Sequence, residues 1–249
     1  MDFFLDIFRA ILFVPLVNAL VFLYEYLPGK DLGVAIIVLT IFIRLVLYPL
    51  SAKAAKAQKI VSALQPKLKE LKEKHKNDRE GYARATMELY RKEGINPFAP
   101  LVPVLIQIPL LIAVYHVFLG GFESEKLSSL YSFVPNPGVI DPYFFGFINL
   151  SEPYFLFALT AGVLQFVQIK QTLPKYPKEK KNDGKPDFAS TMQKQMLFVF
   201  PVVIVIFGSQ LLSAIALYWI ITSIFSIWQY WFINRDKKEG VFAEAKGAV

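Results

Sequence analysis

The chain has 249 residues, of which 55% are hydrophobic, 15% aromatic and only 19% charged, with a net charge of +7 and a mean hydropathy of +0.42. Soluble domains carry about 25% charge and spread their apolar residues periodically, whereas here they gather into long runs, the pattern of a membrane protein. Zero cysteines exclude disulfides, thiolate metal sites and a cysteine nucleophile, and two histidines leave little material for a histidine-built metal centre or triad.

A bilayer core about 30 Å thick needs about 20 apolar residues per helix. The chain accordingly reads as an all-α polytopic membrane protein with a five-transmembrane-helix core. Residues 1–32 form an N-terminal outer segment. Its apolar run, Ala10 to Tyr24, is interrupted by Pro15 and Asn18, and we read it as an interfacial helix, with a sixth span as the alternative. The first span covers 33–50. Residues 51–96 form a basic helical hairpin: Ile60, Leu64, Leu68 and Leu71 recur at helical spacing, and the first arm is about 34 Å long if 53–75 are one helix. Pro66 is placed to kink that arm. Asn77 with Glu80 predicts a capping box for the second arm, and Gly94 its C-terminal cap.

The second span is 97–119, followed by a compact, Pro- and aromatic-rich outer loop at 120–152. The third is 153–172. Residues 173–194 are rich in Lys, Pro, Asp and Gly and predict a mobile linker. The fourth span, 195–208, is short and contains Pro201, so it must draw in flanking polar residues or sit in thinned lipid. A turn at 209–213 leads to the fifth span, 214–233, and a basic tail, 234–249.

Orientation follows from Lys and Arg, which cytoplasmic loops retain. Residues 51–96 hold 12 of them, 173–194 hold 6 and the tail holds 4, against Arg9, Lys30 and Lys126 on the other side. The first span therefore runs from outside to inside, with the N-terminus outside and the C-terminus in the cytoplasm.

Arg44 lies about 9 Å inside the cytoplasmic end of its span. A charge at that depth costs several kcal/mol unless it is hydrated or paired. No predicted span holds an interior Asp or Glu; the spans offer uncharged polar stripes instead. Thr40, Arg44 and Tyr48 share one face of the first span. Gln165, Gln168 and Thr172 align in the third, as do Tyr218, Thr222, Ser226, Gln229 and Tyr230 in the fifth. Two readings stand: a wet, positively charged cavity, or a snorkelling arginine with polar side chains as interhelical glue. The absence of intramembrane acids speaks against a proton- or cation-coupled transporter. A groove with one fixed positive charge suits transient binding of an acidic peptide or an anionic headgroup.

Four blocks carry a resemblance over about residues 12–233. They are LTIFIRLVLYPL (39–50) around Arg44, LQPKLKELKEKHKND (64–78), LYRKEGINPFAPLVPVLIQIPLLIAVYHVF (89–118) and LYW (217–219). The chain thereby resembles the YidC-type membrane protein insertases of bacteria, with their mitochondrial and chloroplast relatives, in a short form without a large outer domain. One departure is Leu212-Ser213-Ala214, where the family commonly has Pro-Ser-Gly or Pro-Ala-Gly.

The resemblance implies a non-enzymatic insertase and chaperone in the bacterial plasma (inner) membrane, with no cofactor, no metal and no small-molecule substrate. Its partners would be nascent membrane proteins and the lipid bilayer, with the ribosome and a Sec translocon as candidates. The implied substrate groove comprises Arg44, Thr40, Tyr48, Gln107, Gln165, Gln168, Tyr218, Trp219 and Thr222. Gln107, between Pro103 and Pro109, also fits a purely structural role in a kinked helix, and Tyr218 and Trp219 also fit interfacial anchoring. In the hairpin, Lys53, Lys56, Lys59, Lys67, Lys69 and Lys72 are candidate contacts to nascent chain, ribosomal RNA or the membrane surface; solubility alone is the competing reading. A small-anion channel or transporter, or a lipid scramblase using the same groove, are the functional alternatives.

Overall fold

The computed structural model describes residues 6–7, 9–75, 78–94, 107–109, 111–115, 130–173 and 188–246. A π-helical turn, Arg9–Phe13, leads into α1 (Val14–Tyr26). Pro15 sits in the first turn of α1, where its missing N–H costs nothing, so the helix runs through the interruption seen in the sequence. Asn18 is buried and donates to the Val14 carbonyl at 2.8 Å. The stretch Arg9–Tyr26 is long and apolar enough to cross a membrane, as is Ser213–Ile233.

After a turn holding the Lys30–Glu25 ion pair at 2.8 Å, α2 (Leu32–Val46) begins. That hydrogen bond to Glu25 raises the Lys30 pKa above its ordinary value. Asp31 caps α2 by accepting from the Val34 amide at 3.0 Å. The helix stops at Leu47, short of the predicted 50, because Pro49 lies in the first turn of the next helix and cannot donate backward. α3 (Tyr48–Ala63) leaves at 60° to α2, and only as a bent pair do the two meet the criteria of a span.

The first hairpin arm is not one helix. α3 ends at Ala63, and α4 (Gln65–Lys74) restarts with Pro66 in its first turn, so the break falls at Leu64 rather than as a kink within a 34 Å rod. α5 (Arg79–Lys92) is capped by Asp78, which accepts from the Gly81 amide at 2.8 Å. Asn77 lies outside the described residues. Gly94 takes φ +65°, the left-handed conformation expected of a C-terminal glycine cap. Lys67 meets Glu93 at 2.7 Å across 26 residues, so the two arms run antiparallel, with Leu64 and Leu68 buried.

Of the predicted second span, only 107–109 and 111–115 are described. They are helical, with Ala113 and Val114 buried. The segment predicted as the outer loop contains an unpredicted two-stranded hairpin, β1 (Tyr143–Phe144) against β2 (Ile148–Asn149). α6 (Phe155–Thr172) is a helix lying within the segment predicted as the third span, 153–172. α7 spans Phe188–Gly208, 21 residues, and so begins inside the predicted mobile linker. Its apolar part is Gln195–Gly208, 14 of those residues. α8 (Ser213–Lys246) runs 34 residues, carrying the helix through most of the predicted tail.

One core joins α1, α2 and α8 through Val17, Leu20, Val21, Tyr24, Leu32, Ile36, Leu39, Ile215, Leu217 and Tyr218. A smaller cluster, Ala161, Ile204 and Ile220, ties α6 and α7 to α8. Gly162 makes the α6 and α7 contact close, since a Cβ there would lie 2.3 Å from Val205 Cγ2 and 3.1 Å from the Pro201 carbonyl.

Candidate functional site

The site is assembled by three segments that are distant in sequence. Arg44, in the last turn of α2, donates from Nη2 to Gln107 Oε1 at 2.9 Å. Gln107 Nε2 in turn donates to Tyr218 Oη at 2.9 Å, and Tyr218, on α8, is 2% exposed. A neutral amide thus bridges a cation and a phenol. Arg44 Nε is buried with no hydrogen-bond partner, and no carboxylate stands within ion-pair distance of the guanidinium among the described residues. Among the described residues Arg44 is therefore held at one corner and keeps capacity for an anionic or polar guest.

Other stripe residues divide. Thr222 is buried one turn beyond Tyr218. On α6, Gln165 accepts from Ser223 Oγ at 3.3 Å, an interhelical bond, while Gln168 Oε1 is buried without a partner among the described residues. Thr40 is 2% exposed and returns its hydroxyl to the Ile36 carbonyl at 2.6 Å, so it has no donor left for a guest.

One placement needs correction. Tyr48 does not continue the Thr40–Arg44 face of one helix, because the break at Leu47 puts it on α3. There its backbone carbonyl accepts from Ser51 Oγ at 3.0 Å and Gln229 Nε2 at 3.4 Å. Trp219 is partly buried beside the Ala161, Ile204 and Ile220 cluster, close to Gly208, and also borders the core that holds Tyr218. Adjacent helical residues point about 100° apart, so the LYW block serves two different faces.

Gln229 was legible only as one member of a stripe, yet it is 5% exposed and donates from Nε2 to Ser51 Oγ at 2.8 Å, joining α8 to the first turn of α3. In the hairpin, Lys53, Lys56, Lys69 and Lys72 are exposed, while Lys67 is engaged by Glu93. The Lys59 side chain lies outside the described residues.

With this geometry in view, comparison with known proteins is informative. A family model described as 60Kd inner membrane protein matches residues 22–240. The chain belongs to the 60Kd inner membrane protein family. Among its relatives, the membrane protein insertase YidC of Citrifermentans bemidjiense is 31% identical over 223 residues, covering 89% of this chain and 36% of that protein. The membrane protein insertase YidC of Methylobacillus flagellatus is 33% identical over 217 residues, covering 86% of this chain and 34% of that one. The chain thus spans about a third of the length of these relatives. A solved structure described as an active YidC insertase with the first transmembrane domain resolved superposes with a TM-score of 0.55 at 23% identity, over 86% of this chain and 45% of that one, and shares the fold. The resemblance read from the four motif blocks is confirmed at the level of the 60Kd inner membrane protein family.

Proposed function

We propose that this chain is a membrane protein insertase: Arg44 receives the hydrophilic outer segment of a nascent membrane protein, and the apolar helix behind it slides along α6 and α8 into lipid. The observation that carries the reading is the partnering of Arg44, held by the Gln107 amide with Nε unsatisfied and no carboxylate beside it among the described residues. A substrate carboxylate can take the place of a neutral amide on a guanidinium, since it adds the attraction of opposite charges to the hydrogen bond. The membrane potential adds roughly 2.3 kcal/mol per charge per 100 mV and drives negative charge outward. Substrate partitioning supplies the remaining energy, so no nucleotide site or cofactor is needed.

The proposal includes a five-span core, a cytoplasmic C-terminus and an outer-surface position for α1. In support of the last, Asn18 Oδ1 accepts from the Tyr131 amide at 2.6 Å and Tyr24 Oη from the Asp141 amide at 3.0 Å. Irregular backbone of this kind runs beside α1, and lipid-exposed irregular backbone is not tolerated in the hydrocarbon layer. The exposed hairpin lysines suit contact with ribosomal RNA or a Sec translocon.

The test is photocrosslinking from positions 44, 165 and 218 during synthesis of a single-span protein with an acidic N-terminal tail. Crosslinks from all three are expected. Their absence from a folded, correctly oriented protein refutes the groove and makes anion flux and lipid flipping the next assays.

A further inference from the structure

The outer hairpin places bare aromatic rings at its tip. The loop between β1 and β2 is Phe145-Gly146-Phe147, with Phe145 64% and Phe147 71% exposed, and Tyr143 beside them is exposed too. From Pro142 to Ser151 the sequence has no charge. Phe145 holds φ +50°, a left-handed conformation costly for a bulky residue. It is held there by its amide, which donates to Asp31 Oδ2 at 2.6 Å. The same carboxylate caps α2 through its other oxygen. Behind the tip, Phe144 is buried against Gly33 of α2, where a Cβ would come within 2.0 Å of its ring. The hairpin is therefore rigidly seated on the first turn of α2 while its tip rings face outward.

Two observations say what covers those rings. The first is continuity with the apolar outer surface of α6. Phe145 stacks on Phe144 at 4.3 Å, Phe144 meets Phe157 at 6.4 Å, and Phe157 meets Tyr154 at 5.4 Å, a chain of rings ending where Phe155, Leu156 and Leu159 lie exposed on α6. In a protein of an inner membrane family, that α6 surface is the lipid-facing one. The second is spacing. The loop strand is fastened to the start of α8 by Ala214 N to the Leu150 carbonyl at 3.1 Å and Ser213 N to the Glu152 carbonyl at 3.0 Å. Further along α8, exposed Trp228 and Trp231 lie 15 and 18 residues from Ser213, about 23 to 27 Å. Two aromatic levels at nearly the hydrocarbon thickness, about 30 Å, are the arrangement of membrane interface belts.

We propose that the tip Phe145-Gly146-Phe147 inserts into the outer-leaflet lipid interface and, through Asp31 and Gly33, sets the depth of α2 in the bilayer. Asp31 and Arg44 are 13 residues apart, so this anchor holds the arginine about 20 Å below the outer interface. Lacking charge, the tip does not select among headgroups. This inference stands on membrane residence and does not depend on the insertase reading.

The absence of native cysteine permits clean single-site labelling. A nitroxide on Phe147→Cys, reconstituted in phosphatidylcholine vesicles, is expected to lie about 5 to 10 Å below the phosphates by collision with oxygen against a nickel chelate. Free access of the chelate to that site overturns the lipid contact and directs attention to a protein partner. For the depth claim, a nitroxide on Phe42→Cys, on the exposed face of α2, is compared with and without F145S/F147S. A shift of about 1.5 Å or more, one residue rise, is expected. An unchanged depth, with unaltered melting in detergent, overturns it.

Discussion

The two ends of α2 are built on opposite terms. At the N-terminal end, the proposed outer one, Asp31 makes two hydrogen bonds, Gly33 admits the Phe144 ring, and the loop backbone is fastened to α1 and α8 by Asn18, Tyr24, Leu150 and Glu152. At the C-terminal end the helix breaks at Leu47, and among the described residues Arg44 has one side-chain bond and an unpartnered Nε. The first end is over-determined and the second is left with spare capacity. A fixed scaffold below which one charge remains available is what transient binding requires, because ordering costs are met before the guest arrives.

Substitutions should separate the two ends. Gly33→Val should do most damage, about 2 to 3 kcal/mol, because the Phe144 ring must leave its seat; a lowered melting midpoint in detergent checks it, and an unchanged midpoint breaks the idea of a rigid outer end. Arg44→Ala should leave that midpoint nearly untouched yet reduce insertion of acidic-tailed substrates by about tenfold, equivalent to about 1.4 kcal/mol. Arg44→Lys should retain insertion, since a single bond to Gln107 asks for charge rather than a bidentate fork; equal defects in both variants would count against an electrostatic role. Asp31→Ala removes the helix cap, with an expected loss of about 1 kcal/mol, and frees the Phe145 amide, visible as faster amide exchange at the hairpin tip. Glu93→Gln should be the mildest, under about 0.5 kcal/mol, since its pair with Lys67 is a surface one. A larger loss would mean that the hairpin arms depend on it.

Much of this was legible because it is local. Apolar runs of span length, the isolated Arg44, the Gly94 cap and the start of α6 depend on residues within a few positions of one another. Periodicity failed where a backbone break intervened: a face drawn from Thr40 through Tyr48 assumes one straight helix, and Pro49 removes that assumption. The helix start at Phe188 escaped because polar composition disguises helical turns that lie outside the hydrocarbon.

The sequence by itself determined that the chain belongs in a membrane, where its helices are richest in apolar residues and that Arg44 must be solvated by something other than an acid on the same helix. Hydropathy and charge are sums over neighbouring residues and need no fold to be read. Only the tertiary structure decided that Gln107, 63 residues away, is a partner of Arg44, that Tyr218 is buried in the core shared with α1 and α2, and that Asp31 grips a loop 114 residues downstream. Contacts of that kind depend on which helices lie side by side and on the angle at each break, and no local pattern encodes either.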